Sequence, residues 1–152
     1  MGTAPDTSVP GSEPASGIEG QLTVSAQLSV RSGRDAVAFY RAAFGARELH
    51  VLPGEEDGEI AVAQLAVGNA SFWVAEESPA HKNYSPAALG GSTVRMLLIV
   101  ADPQATIDQA VAAGATLVYP AAEDYGWLLG RIQDPAGHVW EIARPVMPWP
   151  PG

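Results

Sequence analysis

The sequence predicts an α+β fold: two tandem βαβββ modules that form a half-open mixed β-barrel with helices outside. Three observations predict it. A strand-then-helix phrase occurs twice, the helix starts being Ser32 and Asp102. Both helices end in a similar motif, AAFGA at 42–46 and VAAGA at 111–115. Each copy is followed by an apolar hairpin with its own turn residues. A lone four-stranded sheet carrying one helix leaves its other face bare, whereas two such sheets side by side curve around a concave cleft.

Leu22–Val30 alternates strictly, with Leu22, Val24, Ala26, Leu28 and Val30 on one face and Thr23, Ser25, Gln27 and Ser29 on the other. That is the period of a half-buried strand. Ser32, three residues before Asp35, reads as a helix cap; Val37, Tyr40 and Phe44 follow at helical spacing, and Gly45 ends the helix. In the second copy Val94, Met96, Leu98 and Val100 form the apolar strand face. Asp102-Pro103 opens a helix lined by Ile107, Ala110 and Val111, and Gly114 closes it. Short strands are expected near Arg47–Val51 and Ala115–Tyr119. Hairpins are expected at Ala61–Val67 with Ala70–Ala75, turning at Gly68-Asn69, and at Gly130–Gln133 with His138–Arg144, turning at Asp134–Gly137. Residues 1–21, rich in Gly, Pro, Ser and Thr, read as a flexible arm. The modules span 22–76 and 92–145, residues 77–91 link them, and 146–152 form a Pro-rich tail that reads as solvated, the alternative being that Trp149 pins it onto the domain or a partner subunit.

Composition narrows the function. Among 152 residues there is no cysteine, which excludes disulfides, thiolate metal sites and cysteine nucleophiles and fits a cytoplasmic protein. The formal net charge is −9, and Lys82 is the single lysine, so nucleic acid and anionic membranes are not expected partners. The longest aliphatic run, Met96–Ala101, is too short to span a bilayer, and no secretory signal is visible at the start.

The phrases AVAFYRAAFGA (36–46), SPAALGG (85–91), AVAAGATLVYP (110–120) and YGWLLGRIQDPAGHVWEIARP (125–145) resemble the vicinal oxygen chelate superfamily. That superfamily contains glyoxalase I, extradiol dioxygenases and the bleomycin- and fosfomycin-resistance proteins. The resemblance covers about 22–145 and implies a homodimer with clefts at or near the subunit interface. Metal-using members carry one ligand on the first and one on the last strand of each module. Glu141 matches the final glutamate of that set, and Trp73 is its counterpart in the first module. Aligning the strand-to-helix junctions puts Ser25 and Arg95 at the two first-strand positions. Serine, indole, guanidinium and one carboxylate do not make a divalent-metal site, so no metal ligand and no cofactor are expected.

Alternation puts Ser25, Gln27, Trp73, Arg95, Val139 and Glu141 on the cleft side of their strands. Trp73 can stack on a planar ligand, Gln27 can orient it, and Arg95 can hold a carboxylate or phosphate or else pair with Glu141. Tyr125 and Trp127 fall where the family has a loop over the cleft, and the alternative for Trp127 is a plug at the barrel end. A desolvated, unpaired Glu141 would suit a catalytic general base. His138 falls on the helix side and reads as a packed residue; His50 and His81 show no metal spacing with it, Tyr84 reaches toward the cleft rim, and 55–59 is a solvated acidic loop. The expected function is therefore binding of a small aromatic or anionic molecule in a concave cleft without a catalytic metal. The alternatives are a metal-dependent lyase, isomerase or dioxygenase using Glu141, and a dimeric module with no open ligand cleft.

Overall fold

A computed structural model describes residues 22–150; the arm at 1–21 and the last two residues of the tail lie outside them. The first module contains β1 (Gln27–Val30), α1 (Gly33–Phe44), β2 (Arg47–Pro53), β3 (Ile60–Val67) and β4 (Ala70–Glu76). A 3-10 turn at Pro79–His81 and the single-turn α2 (Pro86–Leu89) occupy the linker. The second module contains β5 (Arg95–Ile99), α3 (Pro103–Ala112), β6 (Thr116–Asp124), β7 (Trp127–Gln133) and β8 (Val139–Pro145). Each module makes one four-stranded sheet, ordered β1-β4-β3-β2 and β5-β8-β7-β6, whose first and last strands run parallel and whose other neighbours run antiparallel. The sheets do not close on each other.

Local chemistry sets the boundaries. Ser32 Oγ accepts from Asp35 N at 3.2 Å and caps α1, which ends at Gly45 in the left-handed region. Asp102 Oδ1 accepts from Ala105 N at 3.1 Å and caps α3. α1 packs on β3 and β4, α3 packs on β6, β7 and β8, and the helices also pack on each other. Gly130 allows the close approach of α3, since a Cβ there would lie 2.4 Å from Ile107 Cδ1 and 2.9 Å from Ala121 N.

The helix sides of both sheets share one core. Tyr40 of α1 packs its ring 5.3 Å from Phe72 and 5.5 Å from Trp140, and Phe44 lies 4.8 Å from Trp140. These contacts join the modules, each aromatic pair adding about 0.5–1.5 kcal/mol beyond its buried area. Buried Asp134 in the β7–β8 turn binds the same cluster. Its Oδ2 accepts from Tyr40 Oη and from Trp140 Nε1 (2.9 Å), and its Oδ1 accepts from the backbone N–H groups of Ala136 and His138, both at 2.9 Å. His138 Nε2 donates to Ser29 O at 2.8 Å, a second tie between modules.

The first strand is shorter than its alternation implies. Leu22 and Val24 are 100% and 99% exposed rather than inward-facing, and β1 starts at Gln27. The ladder to β4 ends at the Trp73 N–H bond to Ala26 O (2.9 Å), so the residues before it have no ladder partner among those described. Period-two patterning reports a face, not the presence of a neighbour. Val94 likewise precedes β5 and is exposed. Two strands of the second module are longer than expected, β6 running on to Asp124 and β7 starting already at Trp127.

In the linker, Ser85 is fully buried and both its Oγ and its N–H donate to Glu77 Oε2, the latter at 3.2 Å. The Ser85 hydroxyl holds the Glu77 carboxyl below its ordinary value, with Arg31 contributing. The side-chain NMR titration of Glu77 is expected to have its midpoint below the usual glutamate value of about 4.3, and Ser85→Ala to move it upward. A folded-state value below the unfolded one favours folding above the unfolded value, and that contribution disappears as pH falls through the folded one.

Tyr40→Phe is expected to destabilise the protein by about 1–3 kcal/mol in urea denaturation, because it deprives a buried carboxylate of a donor. Burial, then the charge of Asp134, raises the Tyr40 phenol well above its ordinary range. Its share of stability is therefore present below the ordinary tyrosine value of about 10 and declines as pH rises beyond it, which alkaline unfolding would read in the wild type and not in Tyr40→Phe.

Candidate functional site

The face of each sheet opposite its helix is open, and the strand registers line up one row of side chains across each. In sheet 1, Gln27 pairs with Trp73, Trp73 with Gln64, and Gln64 with His50. In sheet 2, Leu97 pairs with Glu141, Glu141 with Arg131, and Arg131 with Tyr119. Trp73 and Glu141 are equivalent across the duplication, as the hairpins imply.

In backbone register Gln27 and Leu97, each two residues past the aligned Ser25 and Arg95, stand beside Trp73 and Glu141, while the Arg95 side chain reaches Glu141 from the diagonal position, the pairing the sequence offered. Ser25 precedes β1 and is exposed; Arg95 stands beside Val139. The shift is two residues, so the face is kept and the row changes. Distance from the helix start sets strand phase, but only the parallel pairing sets the register.

Sheet 2 carries the charge. Glu141 keeps 17% of its side chain exposed, and its Oε1 lies 2.7 Å from Arg131 Nη2 and 3.0 Å from Arg95 Nε. The Arg131 guanidinium lies over the Tyr119 ring, 5.2 Å from its centroid, and its buried Nε has no hydrogen-bond partner. Two cations against one carboxylate leave a local surplus of one positive charge. Leu97 and Ile99, each 56% exposed, supply an apolar border on the same face. The arrangement can receive an anionic group with an apolar body. Arg131, Tyr119 and Gln64 were missed in the sequence, although each is a hairpin partner or neighbour of a residue singled out there.

Sheet 1 is different in kind. Trp73, half-buried, is flanked by the amides of Gln27 and Gln64, an aromatic platform between two hydrogen-bonding groups.

The sequence profile of the Glyoxalase/Bleomycin resistance protein/Dioxygenase superfamily matches residues 23–142. The chain belongs to this superfamily. It is 36% identical over 134 residues to the uncharacterized protein Mb0911c of Mycobacterium bovis, covering 85% of this chain and 87% of that one. The X-ray structure of the Arabidopsis thaliana At5g48480 gene product superposes with a TM-score of 0.65 at 29% identity, over 81% of this chain and 98% of that one. TioX from Micromonospora sp. ML1 superposes with a TM-score of 0.61 at 25% identity, over 84% of this chain and 98% of that one.

The metal of the chelate superfamily does not fit the residues present here. At the four matching positions Trp73 offers no lone pair, Arg95 is a fixed cation, and two guanidinium groups already occupy Glu141. Among the described residues no three His, Asp or Glu side chains cluster as a metal site. Nor does Glu141 meet the geometry of an unpaired, desolvated general base.

The remaining candidates disperse. Tyr125 is 96% exposed at the tip of the β6–β7 hairpin, where positive φ at Tyr125 and Gly126 makes the tight turn. Trp127 belongs to β7 and packs edge-on against Trp149 of the tail at 5.4 Å. Tyr84 borders a cavity of about 680 Å³ between β1 and the linker. His50 ends the sheet 1 row, while His81 bonds locally to Ser78 at 2.7 Å.

Glu141→Gln is expected to lower stability by about 1–2 kcal/mol in urea denaturation, since it removes the counter-charge of a half-buried Arg131.

Proposed function

We propose that this member of the superfamily binds a small aromatic molecule bearing an anionic group on its open sheet faces, without a catalytic metal. The observation that carries this reading is the Arg95–Glu141–Arg131 cluster, where a carboxylate satisfied by two cations leaves guanidinium N–H groups free to receive a second anion. The apolar border of Leu97 and Ile99, and the Trp73 platform on the other sheet, suit a flat ring. Sequestration is the simplest use of such a site, since it needs binding and no chemistry.

A homodimer is part of the proposal. Leu22, Val24, Val94, Leu97 and Ile99 are large apolar side chains left exposed in one chain, which favours a second copy covering some of them. Among the described residues no helix is long and apolar enough to cross a membrane.

A thermal-shift and fluorescence titration with 2-naphthoate tests the reading. At a hundred times its dissociation constant the ligand should stabilise the fold by about 2.7 kcal/mol. Arg95→Ala should weaken naphthoate binding about tenfold or more, in keeping with a charge-assisted hydrogen bond, while leaving 2-naphthamide binding unchanged. Trp73→Phe should reduce the ligand-induced fluorescence change. Naphthoate binding that persists undiminished in Arg95→Ala, or that requires added Zn²⁺, Mn²⁺ or Ni²⁺, contradicts the proposal.

A further inference from the structure

The cavity of about 680 Å³ lies apart from the charged row of sheet 2 and has its own chemistry. One wall is β1, an edge strand of sheet 1. Ala26 O and Val30 O bond to β4, so the alternate peptide groups, those of Gln27 and Ser29, face the free edge. The opposite wall is the stretch 91–94 leading into β5, and Leu89 and Pro86 of the linker add apolar surface. No residue lining the cavity other than His138 is ionisable in the ordinary pH range apart from the phenol of Tyr84.

His138 supplies the directing group. Its side chain is more than nine-tenths buried, at 8% exposure, yet it borders the cavity. Its Nε2 lies 2.8 Å from Ser29 O. A carbonyl can only accept, so Nε2 must carry the proton, and in the neutral ring Nδ1 is left with the lone pair. Among the described residues nothing donates to Nδ1. The cavity thus combines a fixed imidazole acceptor with peptide N–H groups on a strand edge, in apolar surroundings of a size that suits a small organic ligand.

We propose that this cavity is a second binding site, specific for uncharged aromatic carboxamides. The amide N–H donates to His138 Nδ1, the amide carbonyl accepts from the β1 edge, and the ring lies against Leu89 and Pro86. A carboxylate in its place would lack the N–H that the Nδ1 lone pair accepts, and no lysine or arginine lines the cavity to balance its charge.

The test is a titration of the ¹⁵N-labelled full chain with benzamide, with benzoate as its charged control. Benzamide is expected to give saturable shifts at the Ser29 and Thr93 amides and at His138 Nδ1, and benzoate none at these positions. Two variants fill the cavity without touching the Ser29–His138 bond. Gly91→Leu is one, because a Cβ at Gly91 meets nothing within 4 Å. Exposed Thr93→Trp is the other. Either should weaken benzamide binding by about tenfold or more with the remaining spectrum unchanged. Absence of saturable shifts, unchanged affinity in both variants, or benzamide shifts confined to Arg95, Arg131 and Glu141 would overturn the assignment. Failure of naphthoate to bind the sheet 2 row leaves these readouts unaffected, so the two sites are judged separately.

Discussion

The arrangement depends on where one buried carboxylate places its charge. Asp134 takes the Tyr40 hydroxyl, the Trp140 indole and two backbone N–H groups of its own turn. Four donors replace the water the carboxylate loses, which is the condition for a buried acid to be tolerated. The same bonds fix the phase of β8. With the Trp140 indole held inward, alternation along the strand must send Val139 and Glu141 to the other face. A one-residue slip would drive Glu141 into the aromatic core and detach Trp140 from Asp134, so register is defended by both polar and apolar terms.

That constraint explains how two copies of one module can carry different chemistry. The scaffold contributes a face and a row; the residues in the row are free to change because the helix-side core is packed independently of them. In sheet 1 the row became an indole between two amides, and in sheet 2 a carboxylate between a guanidinium and a leucine. A metal centre would require donors from both rows. Trp73 and Arg95, at two of the matched positions, supply none, and the remaining glutamate needs a cation to balance it. Arg131 and Arg95 meet that need, which makes the ion pair and the poor metal fit two aspects of the same substitution pattern.

Much of this is legible in the sequence. Caps at Ser32 and Asp102, the glycine after each helix and the two turns all declare themselves by residue type, because each satisfies a local backbone demand. Gln64 was legible as well, since counting from Gly68-Asn69 pairs it with Trp73; Arg131 was not, because counting from a turn at Asp134–Gly137 pairs it with Trp140, and only the extra loop residue His138 brings Glu141 opposite it. Nor was the parallel pairing. No short turn links β1 to β4 or β5 to β8, so nothing local distinguishes Gln27 from Ser25 or Leu97 from Arg95. Exposure of Leu22 and Val24 was hidden for a related reason, since alternation is the same whether or not a neighbouring strand exists. The turn conformation at Tyr125 was hidden too, because a positive φ at a non-glycine residue leaves no compositional trace.

The overall charge of the chain bears on what the sheet 2 row can select. A formal net charge of −9 repels anions at long range, so this protein cannot gather an acidic ligand by steering as a basic protein does. At physiological ionic strength the repulsion fades over a Debye length of about 8 Å, and carboxylates farther than that from Arg95 and Arg131 contribute little at contact. Affinity must then come from the row itself: charge-assisted hydrogen bonds to free guanidinium N–H groups, and apolar area removed from water beside Leu97 and Ile99 at about 25 cal/mol per Å². A small inorganic anion gains only the first and meets the same repulsion, whereas a ring bearing a carboxylate gains both. On the proposed reading, any preference for aromatic over simple anions therefore comes from the apolar area beside Leu97 and Ile99, since the acidity of the rest of the molecule weighs on both alike.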